Sequence, residues 1–263
     1  MDLDPNQIPV PFRMQPGLRR LAQGAPQLTP LDTGGSLYAE KRAVFDAGQS
    51  RHTLPSFDSG PALAAIAAAA GGPPLTGERP LELAFEEDFA VLDGATGIVP
   101  WLCVCVPSHW APEDKVGLPF AALHAPVADN AALLAASQQL VTLATSGERW
   151  ERQVWTISPC GRHDQHPRRH ARPPWPPAAD PMEFARQCWL RAERQTFLPV
   201  GQGTRQAVFT IRVMLQPLTD AVRLPGMARR LHDSLASMSP AVLAYKHLAA
   251  AREPLLRWLQ SLG

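Results

Sequence analysis

The segment from Pro107 to Val127 contains the side chain with the clearest chemical potential, His124, which ends an apolar stretch shortly before Pro126. A proline stops a helix, so the residues before it fix the direction of the imidazole. An imidazole held in one direction on an apolar wall is what an axial haem ligand requires. Most histidines on apolar faces are hydrogen-bonded core residues, and the pattern alone favours that interpretation.

The same segment resembles the signature PS-x-W-x-P-x-x-K-x-G-x-x-L-x-x-IH-x-PVP of the haem-dependent oxidative N-demethylase family, which includes the haem subunit of dimethylamine monooxygenase. Six shorter family patterns are matched in the expected order, namely GL, ED-x-x-x-L, R-x-N-W, R-x-ERQT, FTIR and YK, and they begin at Gly17, Glu87, Arg152, Arg191, Phe209 and Tyr245. The matches extend over about residues 12–248. Their order and spacing are more specific than any single motif.

This resemblance implies an α+β fold in which a PAS-like antiparallel sheet covers a b-type haem. His124 is then the ligand of the haem iron. Arg191, Lys115 and Arg212 are candidate cofactor-binding residues, the last two through haem propionates. The resemblance further implies a small N-methylated amine and O2 as substrates, with electrons from NADPH through a separate flavin and iron–sulfur reductase. The sequence shows no G-x-G-x-x-G after a strand and no iron–sulfur cysteine set, which fits a separate reductase.

Strand periodicity sorts the polar candidates for catalysis. On the predicted strand Trp189–Phe197, alternate residues place Arg191 and Glu193 on one face, where the two form an ion pair in a ligand pocket or in a surface ladder. On the predicted strand Arg152–Ser158, Arg152 and Trp155 face opposite ways. We interpret Arg152 as a donor to dioxygen and Glu193 as the anion that holds the substrate ammonium.

The sequence departs from the family pattern at two informative positions. Ala128 replaces the last proline of PVP, which loosens the turn after His124, and Val154 replaces the asparagine of R-x-N-W. Haem binding is therefore better supported than demethylation of a simple dialkylamine. A haem-based gas or redox sensor and a haem-free scaffold protein remain the alternatives.

Composition excludes several classes of protein. The chain has 263 residues, of which 45% are hydrophobic, and a net charge of +1, so no overall field attracts nucleic acid or an anionic membrane. The longest apolar run, Ala62–Ala70, is too short to span a bilayer, and no signal peptide is visible, so we expect a cytoplasmic protein. Cys103 and Cys105 lack a C-x-x-C partner, which argues against a zinc site but leaves a thiolate haem ligand as a lesser alternative to His124.

The chain divides into three predicted regions. Residues 1–35 form an irregular arm, residues 36–218 a PAS-like haem-binding domain, and residues 219–263 helices packed on that domain. Within the domain, strands are expected at Leu81–Glu86, Phe89–Leu92 and Ile98–Val106, then helices from Pro119 and Asn130, then strands at Arg152–Ser158, Trp189–Phe197 and Ala207–Leu215. The C-terminal helices carry apolar stripes, typical of core or homo-oligomer contacts, at Met227, Leu231, Leu235 and Met238 and at Leu255, Trp258, Leu259 and Leu262.

A basic, proline-rich loop is expected at residues 159–182. His163, His166 and His170 have a spacing that could hold a metal, but the neighbouring arginines would repel a cation. A solvated basic loop is therefore the favoured interpretation. Docking of an electron-donor protein with an acidic surface is the alternative.

Overall fold

The computed structural model describes residues 3–71, 80–201 and 203–262, so residues 1, 2 and 263 of the predicted terminal regions lie outside it. These described residues form an α+β structure built on one antiparallel sheet of seven strands. The strands are β1 Arg19–Arg20, β2 Arg51–Thr53, β3 Glu87–Asp93, β4 Trp101–Cys103, β5 Trp150–Ser158, β6 Trp189–Pro199 and β7 Gln206–Pro217. The helices are α1 Ser36–Asp46, α2 Gly60–Ala70, α3 Leu81–Ala84, α4 Phe120–His124, α5 Ala131–Ala135, α6 Ser137–Ala144, α7 Pro181–Arg186, α8 Leu218–Ala221, α9 Met227–Ala236, α10 Pro240–Tyr245 and α11 Arg252–Gln260.

The sheet has the strand order β1-β5-β6-β7-β3-β4-β2. Strands β5, β6 and β7 are long because each intersperses apolar and β-branched residues with polar ones over nine residues or more, without an internal glycine. The three strand predictions in this part of the chain are confirmed. The last strand, β7, lies between β6 and β3, so the first and second halves of the domain meet in the middle of the sheet.

The two faces of the sheet have different roles. On β6, Arg191, Glu193 and Gln195 lie on one face, whereas Leu190 and Ala192 lie on the other. The second face packs against α7, α9 and α11 in the largest buried cluster of the described residues. The polar face is thereby left for the segment that carries α4 to α6.

The C-terminal helices supply core residues, as predicted from their apolar stripes. The first stripe, on and just after α9, is completely buried, and so are Leu255, Trp258 and Leu259 of α11. The prediction that Leu262 belongs to the second stripe is wrong, because Leu262 follows the end of α11 and is 44% exposed. These helices are therefore stabilised by the domain on which they pack.

A buried cation joins α1 to the sheet. The Nζ of Lys41 donates to the carbonyl oxygens of Phe85 and Glu87 and lies 3.0 Å from Oδ1 of Asp88. The other oxygen of Asp88, Oδ2, accepts from the backbone amide of Val106 at 2.8 Å. Because both charged groups are buried and hydrogen-bonded, the pair fixes the start of β3 against the segment that follows β4.

Three predicted elements differ from the structure. The strand predicted at Leu81–Glu86 is wrong, because Leu81–Ala84 forms a helical turn. Leu81 and Ala84 of this turn are buried in one cluster with Ala62 and Ile66 of α2, and Phe85 makes only an isolated bridge. Ile98–Val106 is paired as a strand only at Trp101–Cys103, since Pro100 cannot donate to a ladder. The single helix expected after Asn130 is two helices, α5 and α6, separated at Ala136.

Candidate functional site

His124 ends the short helix α4, as the sequence predicts. Pro119 has an extended conformation before the first helical residue, and Pro126 follows closely after the last. Nδ1 of His124 lies 2.8 Å from the carbonyl oxygen of Phe120, and the ring packs on the Phe120 ring at 4.1 Å between centroids. A carbonyl can only accept, so Nδ1 carries the proton and Nε2 keeps its lone pair. A histidine held in this way is oriented as a metal ligand.

The turn after His124 is held by an amide side chain. Nδ2 of Asn130 donates to the carbonyl oxygens of His124 at 3.1 Å and Ala125 at 2.8 Å. A helix was expected to begin at Asn130, but the side chain of Asn130 does not cap α5. It closes the end of α4 instead. The same two bonds fix the turn in which Ala128 departs from the family pattern.

Facing this helix, the polar side of the sheet carries a continuous chain of hydrogen bonds. Nε of Arg152 donates to Oε1 of Gln195 at 2.6 Å, and Nε2 of Gln195 donates to Oε2 of Glu193 at 2.6 Å. The other oxygen of Glu193 accepts from the hydroxyl of Ser108. That hydroxyl oxygen in turn accepts from Nε of Arg191 at 2.8 Å. We call these five residues the polar network.

The polar network has a fixed direction. Both arginines can only donate, so the bonds run inward from each end and meet at Glu193. A carboxylate is the acceptor that satisfies both directions at once. Arg191 and Glu193, which were predicted to share a face, are thus joined through Ser108 rather than by direct contact.

The charge at one end of the polar network acts on His124. Burial lowers the pKa of His124, and the positive charges of Arg152 and Lys115 act in the same direction against the Phe120 hydrogen bond. The imidazole is therefore neutral near pH 7, as a metal ligand must be. His124, Arg152 and Lys115 are the predicted site residues that the structure brings together, with Glu193 two hydrogen bonds away from Arg152.

The remaining predicted cofactor ligands lie elsewhere. Arg191 is 2% exposed, and its guanidinium also donates to the carbonyl oxygens of Val106 and Arg162, so it supports the wall of the site. Arg212 pairs across the sheet with Arg194 on the face opposite Glu193, where its Nε donates to Glu86 at 2.6 Å. The structure therefore does not bring Arg212 to the side of the sheet that His124 faces.

The sequence analysis did not identify two candidate functional residues, His109 and Lys246. His109 has a left-handed backbone (φ +60°), and within the described ranges its ring makes no hydrogen bond. Burial lowers the pKa of His109 to about 4, with the charges of Arg172, Arg191 and His247 adding to the effect. The second candidate is Lys246, whose Nζ donates to the carbonyl oxygen of Trp155 at 2.7 Å. Burial lowers the pKa of Lys246 to about 8, opposed by Glu193.

A signal for these two residues was present in the sequence. His109 occupies a variable position of the PS-x-W motif, and Lys246 is part of the YK match. Neither position has a periodicity that indicates where the side chain points. Only the folded chain shows that both lie near the polar network.

The middle of the histidine-rich loop is packed. Asp164, Gln165 and His166 are buried, so the prediction of a solvated loop is wrong for these residues, whereas Arg162, Arg168 and Arg172 are exposed. Nδ1 of His166 accepts from the amide of Arg168, and its Nε2 lies 3.0 Å from Glu113. Across residues 3–71, 80–201 and 203–262, no group of three or more His, Cys, Asp or Glu residues could hold a metal ion.

Cys103 and Cys105, the alternative thiolate ligands, are buried thiols. Burial raises the pKa of Cys103 and of Cys105, so neither forms a thiolate readily near neutral pH. A neutral imidazole is consequently the better ligand here.

Among the helices of the described residues, none is long and apolar enough to cross a membrane.

Comparison with known proteins agrees with these observations. The family model described as haem-dependent oxidative N-demethylase, alpha subunit-like, matches residues 72–256, which is most of the chain and includes α4, the polar network and Lys246. Among curated proteins, none matches the chain. The extent of the family match, together with an oriented imidazole in the expected segment, leads to one conclusion. The chain belongs to the haem-dependent oxidative N-demethylase alpha subunit-like family.

Proposed function

We propose that this chain is a haem-binding subunit of a monooxygenase that oxidises a small N-methylated amine with O2, using electrons from a separate NADPH-dependent flavin and iron–sulfur reductase. The observation that carries the proposal is the bond from Nδ1 of His124 to Phe120, which leaves Nε2 available on a neutral ring. Membership of a haem-dependent family supports haem, and we assign b-type haem because the sequence contains no C-x-x-C-H attachment motif.

A PAS-like fold is part of the same proposal. Two consecutive strands, then helices, then three strands is the element order of PAS-type domains, and β3 to β7 follow it. In such domains the sheet closes over a ligand beneath a helix. Here that helix is α4, and the sheet face beneath it carries the polar network.

His124 would hold the haem, with Lys115 as the cation for a propionate. Lys115 follows a single turn of 3-10 helix, and within the described ranges its ammonium has no acidic partner. An unpaired ammonium beside a haem-ligating helix fits a carboxylate. When bound, haem supplies the activation of dioxygen that side chains alone cannot perform.

The polar network supplies the two other groups that the reaction needs. Glu193 would bind the substrate ammonium, because a carboxylate compensates a cation that is withdrawn from water. Arg152 would donate to dioxygen, since Nη2 has no hydrogen-bond partner among the described residues while Nε and Nη1 hold Gln195 and the carbonyl of Pro16. Anion and cation are thus held a few ångströms apart by the one bridging amide.

The first test is the absorption spectrum of protein produced with a supply of haem. We expect a Soret band that His124→Ala abolishes or shifts to another ligation state. His232→Ala is the matched control, because that half-buried histidine lies on α9 against Asp233. An unchanged spectrum in His124→Ala would overturn the assignment.

The second test separates an enzyme from a sensor. With a flavin and iron–sulfur reductase, the haem-loaded protein should release formaldehyde from an N-methylated amine only when both NADPH and O2 are present. A haem protein that binds gas but releases no formaldehyde from any N-methylated amine would favour a sensor.

A further inference from the structure

Val154 lies directly opposite Glu193 in the sheet. The pairing of β5 with β6 joins Val154 to Glu193, and the pairing of β6 with β7 joins Glu193 to Val213. Paired residues of an antiparallel sheet point to the same face, with Cβ atoms about 4.5–5.5 Å apart. The side chain of Glu193 therefore has a valine beside it on each neighbouring strand.

Burial shows where this face of the sheet is open. Val213 is 3% exposed, and the network residues Arg191 and Gln195 are also buried. Val154 and Glu193 are only half-buried. Among the described residues, Val154 packs against none of the buried hydrophobic clusters. The open part of the face thus combines one carboxylate with an apolar side chain that the core does not use.

The polar network surrounds Glu193 with donors. Oε1 of Glu193 accepts from the hydroxyl of Ser108, and Oε2 accepts from Nε2 of Gln195. The side-chain oxygen of Gln195 accepts from Arg152 instead, and the oxygen of Ser108 accepts from Arg191. Along the network, both neighbours of Glu193 therefore turn donors toward it, while across the sheet both neighbours are apolar. A cation bound by this carboxylate meets no second acceptor among these neighbours.

This arrangement suits one kind of ammonium better than another. Each carboxylate oxygen accepts more than one hydrogen bond, so Glu193 can still bind an N–H of a ligand. A tertiary ammonium has one N–H, whereas a secondary ammonium has a second, which tetrahedral geometry directs away from the carboxylate and toward the apolar side chains. An N–H that is withdrawn from water without an acceptor is unfavourable, but a third alkyl group against Val154 buries apolar surface.

We propose that Val154 is a specificity-determining residue, which makes the site select tertiary N-methylated amines over secondary ones. The inference rests on the proposed function and names the class of its amine substrate. Val154 rather than Val213 sets the choice, because only Val154 is open to a substrate alkyl group.

The first measurement compares trimethylamine with dimethylamine by calorimetry. Both amines carry one positive charge near neutral pH, and they differ by the exchange of one N–H for one methyl group. Apo-protein and haem-loaded protein are both titrated. We expect trimethylamine to bind about tenfold tighter, since it avoids an unpaired N–H and buries one more methyl group. Equal affinities, or tighter binding of dimethylamine, would overturn the inference.

Substitutions at residue 154 separate hydrogen bonding from apolar contact. Val154→Thr keeps the β-branched shape and adds an oxygen that can accept the second N–H, so dimethylamine should gain affinity and the preference should fall to near equality. Val154→Ala adds no acceptor, so trimethylamine should bind about threefold weaker while dimethylamine changes little. Val222→Thr is the matched control, because Val222 is also half-buried but packs against the cluster on the opposite face of the sheet.

The outcomes separate this inference from the proposed function. If protein produced with haem shows no Soret band, haem binding is refuted, while calorimetry on the apo-protein still tests the amine preference. If Val154→Thr keeps the ratio of affinities found for wild type and Val222→Thr, the role of Val154 is refuted, and formaldehyde release by the haem-loaded protein still supports the proposed function. Protein that binds neither amine in any form refutes both the role of Val154 and the ammonium site at Glu193, and leaves haem binding untouched.

Discussion

Glu193 lies where the hydrogen bonds of the polar network converge, and we predict that Glu193→Gln disrupts their donor–acceptor order. Arg191 and Arg152 can only donate. The bonds therefore reach Glu193 through Ser108 on one side and Gln195 on the other. A glutamine at residue 193 has one oxygen and one NH2 group, so its NH2 donor faces either the Ser108 hydroxyl or the NH2 group of Gln195, both of which donate to Glu193 in the wild type. If the Gln195 amide rotates to offer its oxygen to residue 193, its NH2 group then faces Arg152, which can only donate.

The size of the effect follows from burial. Gln195 is 6% exposed and Glu193 is half-buried, so the unmatched donor is partly shielded from water. We expect the free energy of unfolding to fall by about 1–2 kcal/mol, in the lower part of the range for an unsatisfied buried group. For a chain of this size the loss corresponds to a decrease in Tm of roughly 3–6 °C. Urea unfolding of the apo-protein, followed by tryptophan fluorescence and circular dichroism, measures it.

A compensating substitution provides the decisive comparison. In the double variant Glu193→Gln with Gln195→Glu, Arg152 and the new amide both donate to the new carboxylate, and Ser108 keeps an acceptor. We expect most of the lost stability to return. The change in the haem spectrum on amine binding, which Glu193→Gln should abolish, should not return, because the carboxylate is now at residue 195. Glu86→Gln, on the opposite face of the sheet, is the control, since Gln195→Glu should not compensate it. Simple additivity of the substitutions at 193 and 195 would refute the reasoning.

Three further predictions test other parts of the structure. Lys41→Met should cost about 3–5 kcal/mol in urea unfolding, because it leaves the carboxylate of Asp88 buried without its cation; a loss near zero would contradict the pairing. The pKa of His109 is lowered from 6.5 to about 4 by burial, so the unfolded chain binds this proton more readily between those values and stability falls as the pH decreases through that window. His109→Asn should therefore flatten this limb of the stability profile by roughly 1–2 kcal/mol, after allowance for partial exposure, and an unchanged slope would count against it. Asn130→Ala removes the donor to the carbonyls of His124 and Ala125 and should speed haem loss to a scavenging apoglobin by about fivefold; a rate equal to that of wild type would show that the turn needs no side-chain support.

Periodicity predicted the elements whose burial is regular. The alternation on β6 placed Arg191, Glu193 and Gln195 on one face, and that placement is confirmed. The apolar spacing on α9 predicted a core helix for the same reason. The proline at 126 predicted the end of α4 because backbone chemistry alone decides where a helix stops.

Contacts between distant segments could not be read from such patterns. Nothing local to Ser108 indicates that its hydroxyl bridges Arg191 and Glu193, which are more than 80 residues away. The helical turn at Leu81–Ala84 shows the same limit, since its alternation suits a strand as well as a buried turn. The loop 159–182 was judged by its arginines, whereas its acidic partners Glu40 and Glu113 come from elsewhere in the chain.

The arm at the start of the described chain implies an order of folding. The amide of Phe12 donates to the hydroxyl of Ser237, and the hydroxyl of Ser234 donates to the carbonyl of Pro9, in both cases across 225 residues. During synthesis the arm leaves the ribosome long before α9, to which it is bonded. Leu3 and Ile8, which are buried in one cluster with residues of α9, therefore lack these contacts until α9 has emerged. The arm is therefore made well before the helix that holds it in place.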